Sequence, residues 1–376
     1  MHVGLLLGSL RVGGAERQFV ELARGLAGRG HRVSFFTVYR GGALEADLYD
    51  VAGIEHRSLH GCEGGAGWRG VLRSVRSLRA ALRSTGPDVL YTALYAANLI
   101  GVLASRGTGV PVVWGVRSAA ESVGWKERLP LVVGRAFARS VQGLISNSRR
   151  GLDVSRGWGY RTAEAEVIPN GIRTDRFRPD RTWRTEFRER YGFGPKDIVV
   201  GLVGRNSVAK GHALFLAAAG KAAQADSHLR FVCVTPDKPN GELRDQWRAR
   251  LGDRAELLRF VAGGTEVERI YPGLDLLCSA SSGEGFPNVV GEGMAAGLPV
   301  LATDVGDTAL IVDECGTVVP TGDVDALAAG MVEFARMDAD RRRRLGREAR
   351  ARVVDHFSVE QLLERTERCL TAWRAT

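Results

Sequence analysis

The sequence predicts an α/β protein made of two doubly wound parallel-sheet domains. Three observations carry that prediction. Short apolar runs alternate with longer amphipathic segments along nearly the whole chain. The runs are continuously apolar, as strands covered on both faces must be. The rhythm stops once, in a polar, arginine-rich stretch from about 172 to 190, and then starts again. A length of 376 residues leaves room for two such domains with substantial cores.

In the first half the strand candidates are 2–8, 31–38, 88–94, 111–116, 143–148 and 166–171. Between the first two lies AERQFVELARGLAGRG, where Phe19, Leu22, Ala23 and Leu26 share one helical face and a glycine closes the helix. The second set of strand candidates is 197–204, 229–235, 255–261, 275–280, 298–303 and 316–320. The chain ends in helices, one of them opening at Ser358 with a Ser-x-x-Gln capping box. Expected bounds are therefore 1–171 for the first domain and 172–355 for the second. A C-terminal helical segment, 356–376, is expected to pack back toward the first.

Hydrophobic residues make up 44% and charged residues 25%, proportions that exclude disordered and fibrous architectures. The net charge of +9 sits entirely in the first half: residues 1–170 hold 22 Lys and Arg against 13 Asp and Glu, and the rest holds 30 of each. A one-sided basic half favours an anionic partner such as a membrane surface, a polyphosphate lipid or nucleic acid. Nucleic acid is the weakest of these, because no aromatic-interleaved basic platform accompanies the charge. Arginine dominates, so Lys126, Lys196, Lys210, Lys221 and Lys238 stand out as the only lysines. Cys62, Cys233, Cys278, Cys315 and Cys369 form no C-x-x-C pair, which argues against a disulfide framework or a zinc site and fits a reducing cytosol. The apolar run Val3 to Leu7, broken by Gly4, is too short for a signal-peptide core, and no stretch approaches the ~20 apolar residues that span a bilayer. The expected location is cytoplasmic, with peripheral attachment to the cytoplasmic face of the membrane open.

Ligands of doubly wound sheets bind beyond the carboxyl ends of the strands, so the motifs there are read first. After the first strand, Gly13 and Gly14 sit where a helix begins. Paired glycines let a ligand approach the backbone, and the free N–H groups favour an anion, although a plain glycine turn would look the same. The G-x-G-x-x-G fingerprint is absent and the second strand ends in Val38, Tyr39 and Arg40 without an acid, which argues against NAD. The second domain opens with GLVG followed by Arg205 and, five residues on, Lys210. Two such cations on a strand-to-helix loop can neutralise a diphosphate, one as a fork and one as a point charge. The segment SSGEGFPNVVGEGMAAGLPVLATDVGD is the most specific. Its Gly-rich loop holds Glu284, a helix starts near Pro287 and Asn288, and Glu292 lies one turn beyond Asn288 on the same face. Carboxylates accept from paired hydroxyls, so both suit sugar or ribose; in the alternative, Glu292 only complements the helix dipole.

Glu284 and Glu292, with seven residues between them inside EGFPNVVGEGMAAGLPVLATDVGD, resemble the Glu-x7-Glu signature of the family 4 (GT4) retaining glycosyltransferases, which have the GT-B fold. GGAER at 13–17, VIPNGI at 167–172 and VGRNSVAKG at 203–211 extend the resemblance along the chain. It implies two Rossmann-like domains facing a central cleft, the second binding a nucleotide-diphosphate-sugar. It implies that Arg205 and Lys210 bind the donor diphosphate, Glu284 the transferred sugar and Glu292 the ribose. Gly14 would meet the diphosphate or the sugar's reaction centre, and backbone N–H groups around Gly285, Phe286, Pro287, Asn288 and Val289 would meet phosphate or sugar. Glu284, Arg205 and Lys210 become the catalytic candidates, and Gly13 joins the acceptor side. The family places a histidine after the fourth or fifth strand of the first domain; this chain reads VVWGVRSAA, with Arg117 there, a candidate for an acceptor phosphate or the donor.

The implied reaction needs no metal and no other cofactor. Negative charge developing on the leaving diphosphate is met by the two cations and by helix N-termini. The runs Asp323 to Asp325 and Asp338 to Asp340 lie at helix starts, where capping is the expected job. The implied acceptor is a lipid-linked or polysaccharide-precursor glycan, with a small natural product as the alternative. A non-catalytic nucleotide-sugar-binding protein and a sugar-nucleotide epimerase are the rivals from other classes. The segment GWRGVLRSVRSLRAALRS carries Arg69, Arg73, Arg76 and Arg83 around one side, with Trp68 at its start and Val71, Leu72, Val75, Leu78 and Leu82 elsewhere. Such a helix can lie on an anionic bilayer or pack on the core with a solvated arginine face.

Overall fold

A computed structural model describes residues 1–11, 13–49, 51–60, 68–117, 125–236, 241–264 and 266–374. Cys62 and Lys238 lie outside them. The chain divides into two compact units, Met1–Gly171 with Val359–Thr376, and Ile172–Ser358.

The first unit runs β1 (His2–Leu7), α1 (Gly14–Gly28), β2 (Arg32–Tyr39), β3 (Ile54–His60), α2 (Trp68–Thr85), β4 (Val89–Ala93), α3 (Tyr95–Ser105), β5 (Val112–Val116), α4 (Trp125–Gly134), β6 (Gly143–Ser146), α5 (Arg149–Gly157) and β7 (Ala165–Val167). Among the described residues these strands form one parallel sheet in the order β3-β2-β1-β4-β5-β6-β7. Side chains alternate across it. Val3, Leu5 and Leu7 join Phe19, Leu22 and Leu26 of α1 on one face, and Leu6, Phe36 and Trp114 join Val75 and Leu78 of α2 on the other. Full burial of each large aliphatic or aromatic side chain contributes about 1.5–3 kcal/mol, which is why continuously apolar runs end up between two helical layers.

The second unit runs α6 (Arg181–Tyr191), β8 (Ile198–Val203), α7 (His212–Ala225), β9 (Leu229–Thr235), α8 (Gly241–Leu251), β10 (Leu258–Ala262), β11 (Leu276–Ser279), α9 (Asn288–Ala295), β12 (Val300–Thr303), α10 (Thr308–Val312), β13 (Gly316–Val319), α11 (Val324–Arg336) and α12 (Ala339–His356). Its sheet is also parallel, ordered β10-β9-β8-β11-β12-β13, with α9 and α12 supplying one buried face and α7 and α11 the other. Ile172 bridges to Ser358, so the return to the first unit comes at Val359, three residues beyond the expected bound. There α13 (Val359–Ala372) buries Leu362, Leu363 and Leu370 in the core containing α1, and Glu367 pairs with Arg29 at 2.6 Å and with His31 at 2.8 Å.

Three expectations need correcting. β3 has no continuous apolar run: it is an edge strand whose Glu55 and Arg57 are exposed, and it was missed for that reason. β7 stops at Val167 instead of reaching 171, since Pro169 has no N–H to pair. The run expected at 255–261 begins as a 3-10 turn through Leu257, and β10 starts only at Leu258.

Candidate active site

Each sheet reverses direction of growth beside its first strand, between β1 and β4 in one unit and between β8 and β11 in the other. Loops leaving such a pair open side by side at the carboxyl edge.

In the second unit those two loops bring Lys210 and Glu284 together. Lys210 Nζ lies 2.5 Å from Glu284 Oε1, with the side chains only 20% and 14% exposed. Ser281 Oγ donates to the same carboxylate oxygen at 3.0 Å. The backbone holds the loops in place. Ser282 N donates to Ala209 O at 2.9 Å, and Gly211, at φ 67°, comes so near β11 that a Cβ would fall 1.7 Å from Ala280 O. From the loop after β12, Gly306 at φ 58° leaves room for a Cβ only 2.3 Å from Glu284 O, and Asp307 N donates to Gly285 O at 3.1 Å. Neither glycine tolerates a side chain, because the left-handed backbone and the close approach exclude it together.

Glu292 lies half-buried on α9, where Tyr271 Oη donates to its Oε2 at 2.7 Å. Tyr271 is fully buried; burial pushes its phenol well above the ordinary range, and the Glu292 charge adds to this, so it stays a donor. Arg205 is exposed and forms no ion pair among the described residues, so of the two expected cations only Lys210 is engaged. The helix start also differs in detail. Pro287 is the N-cap and Asn288 the first helical residue, so Asn288 is not the cap. Pro287 also has no N–H to offer a phosphate. Phe286 turns its ring into the core, 5.8 Å from that of Phe357, which anchors the loop, while Val289 packs partly buried beside it. Asp323 and Asp338 cap α11 and α12, accepting from Ala326 N at 2.9 Å and Arg341 N at 2.8 Å.

In the first unit Gly13 is the N-cap of α1 and Gly14 its first residue. The chain's own acid occupies this helix start: a Cβ on Gly13 would fall 2.2 Å from Glu16 Oε2. Arg117 follows β5 directly. Its Nη2 donates to Tyr91 Oη at 2.6 Å and its Nη1 to Asn170 Oδ1 at 3.1 Å, with the Phe19 ring 5.4 Å from the guanidinium carbon. Sequence reasoning missed Tyr271, Ser281 and Tyr91. Asn170 lies in the quoted VIPNGI, but nothing in that motif names Arg117 as its partner.

Comparison with known proteins identifies the class that these features define, a GT-B glycosyltransferase. Residues 12–176 match Glycosyltransferase Family 4 and residues 197–336 match Glycosyl transferases group 1. The lipopolysaccharide core biosynthesis mannosyltransferase LpsB of Rhizobium meliloti is 30% identical over 259 residues, covering 62% of this chain and 70% of that protein. The chain belongs to glycosyltransferase family 4. A D-inositol 3-phosphate glycosyltransferase of Xylanimonas cellulosilytica is 28% identical over 379 residues, 90% of this chain and 87% of the relative. HepE of Anabaena, solved in complex with UDP and glucose, shares the fold at a TM-score of 0.79 and 22% identity, covering 98% of this chain and 99% of its own.

Proposed function

We propose that this glycosyltransferase moves a hexose from a nucleotide-diphosphate-hexose to an acceptor hydroxyl with retained configuration and without a metal ion, in the assembly of a lipid-linked or polysaccharide-precursor glycan. The observation that carries the reading is the shielded Lys210–Glu284 pair at the switch point of the second sheet. Shielding strengthens electrostatic interactions, so a cation held there is well placed to stabilise a leaving diphosphate. Donor binding exchanges the pair for better partners. Lys210 turns to the diphosphate, joined by Arg205, and Glu284 accepts from the sugar hydroxyls. Glu292, steadied by Tyr271, accepts from the ribose. As the sugar–phosphate bond breaks, the electron pair goes to the diphosphate oxygen, the acceptor oxygen bonds to the sugar carbon on the same face, and the acceptor proton passes to the departing phosphate. The UDP and glucose held by HepE and the mannosyl transfer in the name of LpsB support a hexosyl donor. The LpsB name also supports a glycan acceptor.

The exposed arginine side of α2 supports docking at the cytoplasmic face of an anionic membrane. Arg69, Arg73, Arg76 and Arg83 are all exposed, as are Trp68 at 69% and Leu72 at 42%, while Val75, Leu78 and Leu82 fasten the helix to the core.

The deciding assay follows nucleotide diphosphate released from UDP-, GDP- and ADP-hexoses. Turnover of one donor is expected, undiminished by EDTA, with Lys210→Ala lowering kcat/KM by about 10²–10³. That donor, at 100 times its dissociation constant, adds about 2.7 kcal/mol of stability. Absence of both release and thermal stabilisation with every donor overturns the reading, and a strict demand for Mn²⁺ or Mg²⁺ overturns its metal-free part.

A further inference from the structure

Among the described residues, Arg117 is a cation with no acidic partner. Its neighbours are neutral: the Tyr91 hydroxyl, the Asn170 amide oxygen, and the faces of Phe19 and Tyr91 at 5.4 and 5.9 Å. Its Nε is buried and bonds to nothing among the described residues. Other shielded arginines of this chain are neutralised or saturated. Arg188 pairs with Asp275 at 3.0 Å and also donates to Gly194 O and Asp197 O, and Arg230 pairs with Asp197 at 3.0 Å. Arg350 donates to the carbonyls of Phe177, Thr174 and Ala295. Leaving one donor of a shielded cation unmet carries a desolvation cost, which an arriving anion removes.

Position points the same way. Arg117 is the first residue past the carboxyl end of β5, next to β4, on the edge of the sheet where doubly wound folds take ligands. Two elements fix its planar fork before any ligand arrives: β4 through Tyr91, and the turn after β7 through Asn170. Such a fork matches a phosphate or carboxylate with two parallel hydrogen bonds. We propose that Arg117 seats an oxyanion, the phosphate or other anionic group of the acceptor, so that this enzyme takes a negatively charged acceptor. The word acceptor rests on the glycosyl-transfer reading above; the oxyanion seat does not.

The experiment is an NMR titration of ¹⁵N-labelled protein that follows the arginine Nε–Hε signals. The Arg117 signal is assigned by its loss in Arg117→Lys. Should that variant not fold, Tyr91→Phe provides a second assignment by displacing the same signal through loss of the 2.6 Å partner. Inorganic phosphate alone is expected to move the Arg117 signal saturably. Prior saturation with UDP should leave that movement intact, and Tyr91→Phe should weaken the apparent phosphate affinity about 3- to 10-fold. If UDP itself captures the signal and blocks phosphate, the oxyanion is the donor's diphosphate and the acceptor assignment falls. If neither phosphate nor UDP moves the signal at tens of millimolar, the seat does not exist. No turnover enters the measurement, so its failure is separable from failure of the donor assay.

Discussion

Tyr271 acts on Glu292 through one hydrogen bond of 2.7 Å, and that bond leaves a single carboxylate oxygen, Oε1, clear of the phenol. If Glu292 accepts from the ribose, it binds ground state and transition state alike, far from the bond that breaks. Tyr271→Phe should then raise KM for the nucleotide-hexose about 5- to 30-fold, the equivalent of roughly 1–2 kcal/mol, and leave kcat nearly unchanged. A residue that merely packs would give the opposite result on substitution, a smaller active fraction at unchanged KM. Steady-state kinetics over donor concentration separates the two. The carboxylates were legible in the sequence because their spacing along one loop and helix is itself the signal. Tyr271 was not, because it lies 21 residues upstream in a short turn and only the fold brings it under α9. Arg117 was legible as a basic residue at a strand end, yet its neutral partners come from β4 and from the turn after β7, which no local pattern connects.

At the scale of elements, burial decides what a sequence reveals. The central strands β1, β2, β4 and β5 are enclosed on both faces, must be apolar throughout, and were found where their runs lie. The edge strand β3 is half-solvated, has only Ile54 and Leu59 as apolar residues, and carries no such run. α2 shows both sides of this rule. Its inner face, Val75, Leu78, Ala81 and Leu82, is fixed by the core, whereas its outer face of arginines with Trp68 and Leu72 is free to meet another surface. Each basic side chain near an anionic leaflet contributes about 1 kcal/mol, and that attraction is screened by salt. The protein is therefore expected to float with vesicles containing anionic lipid, to remain behind with neutral ones, and to be released by about 0.5 M salt. Replacing Arg69, Arg73 and Arg76 by Gln should abolish flotation while leaving the melting temperature in place. Equal recovery on neutral and anionic vesicles removes the membrane from the account.

Across the whole molecule, the titrating groups of both units set a common pH dependence of stability. His2 and His56 in the first unit and His212 in the second are all held below the ordinary histidine value. Burial is the main cause in each case, reinforced by Arg32 at His2 and by Lys210 at His212. A depressed histidine leaves the unfolded chain binding more protons than the folded one below about pH 6.5, so its stability is intact above that value and is lost as pH falls toward the folded-state pKa. A second loss follows at lower pH. Glu367, lowered first by its bond to Arg29, and Asp175, lowered first by Arg173, favour the fold above the usual carboxylate range and cease to do so as pH drops through their folded values. On the alkaline side, burial raises Tyr91 and Tyr271, so the fold weakens as pH climbs past about 10. The melting temperature should accordingly be highest between roughly pH 7 and 9 and decline on the acid side in two stages. His212 offers the control, because it is 3% exposed and both ring nitrogens lack partners among the described residues, so there the imidazole contributes shape and an acid liability but no hydrogen bond. His212→Phe should be neutral or stabilising by about 1 kcal/mol at pH 7 and should flatten the first acid stage. Calorimetric scans of both proteins from pH 4 to 8 provide the measurement. Parallel curves, with the variant no more acid-resistant than the parent, would show that the buried histidine is not what the first stage titrates.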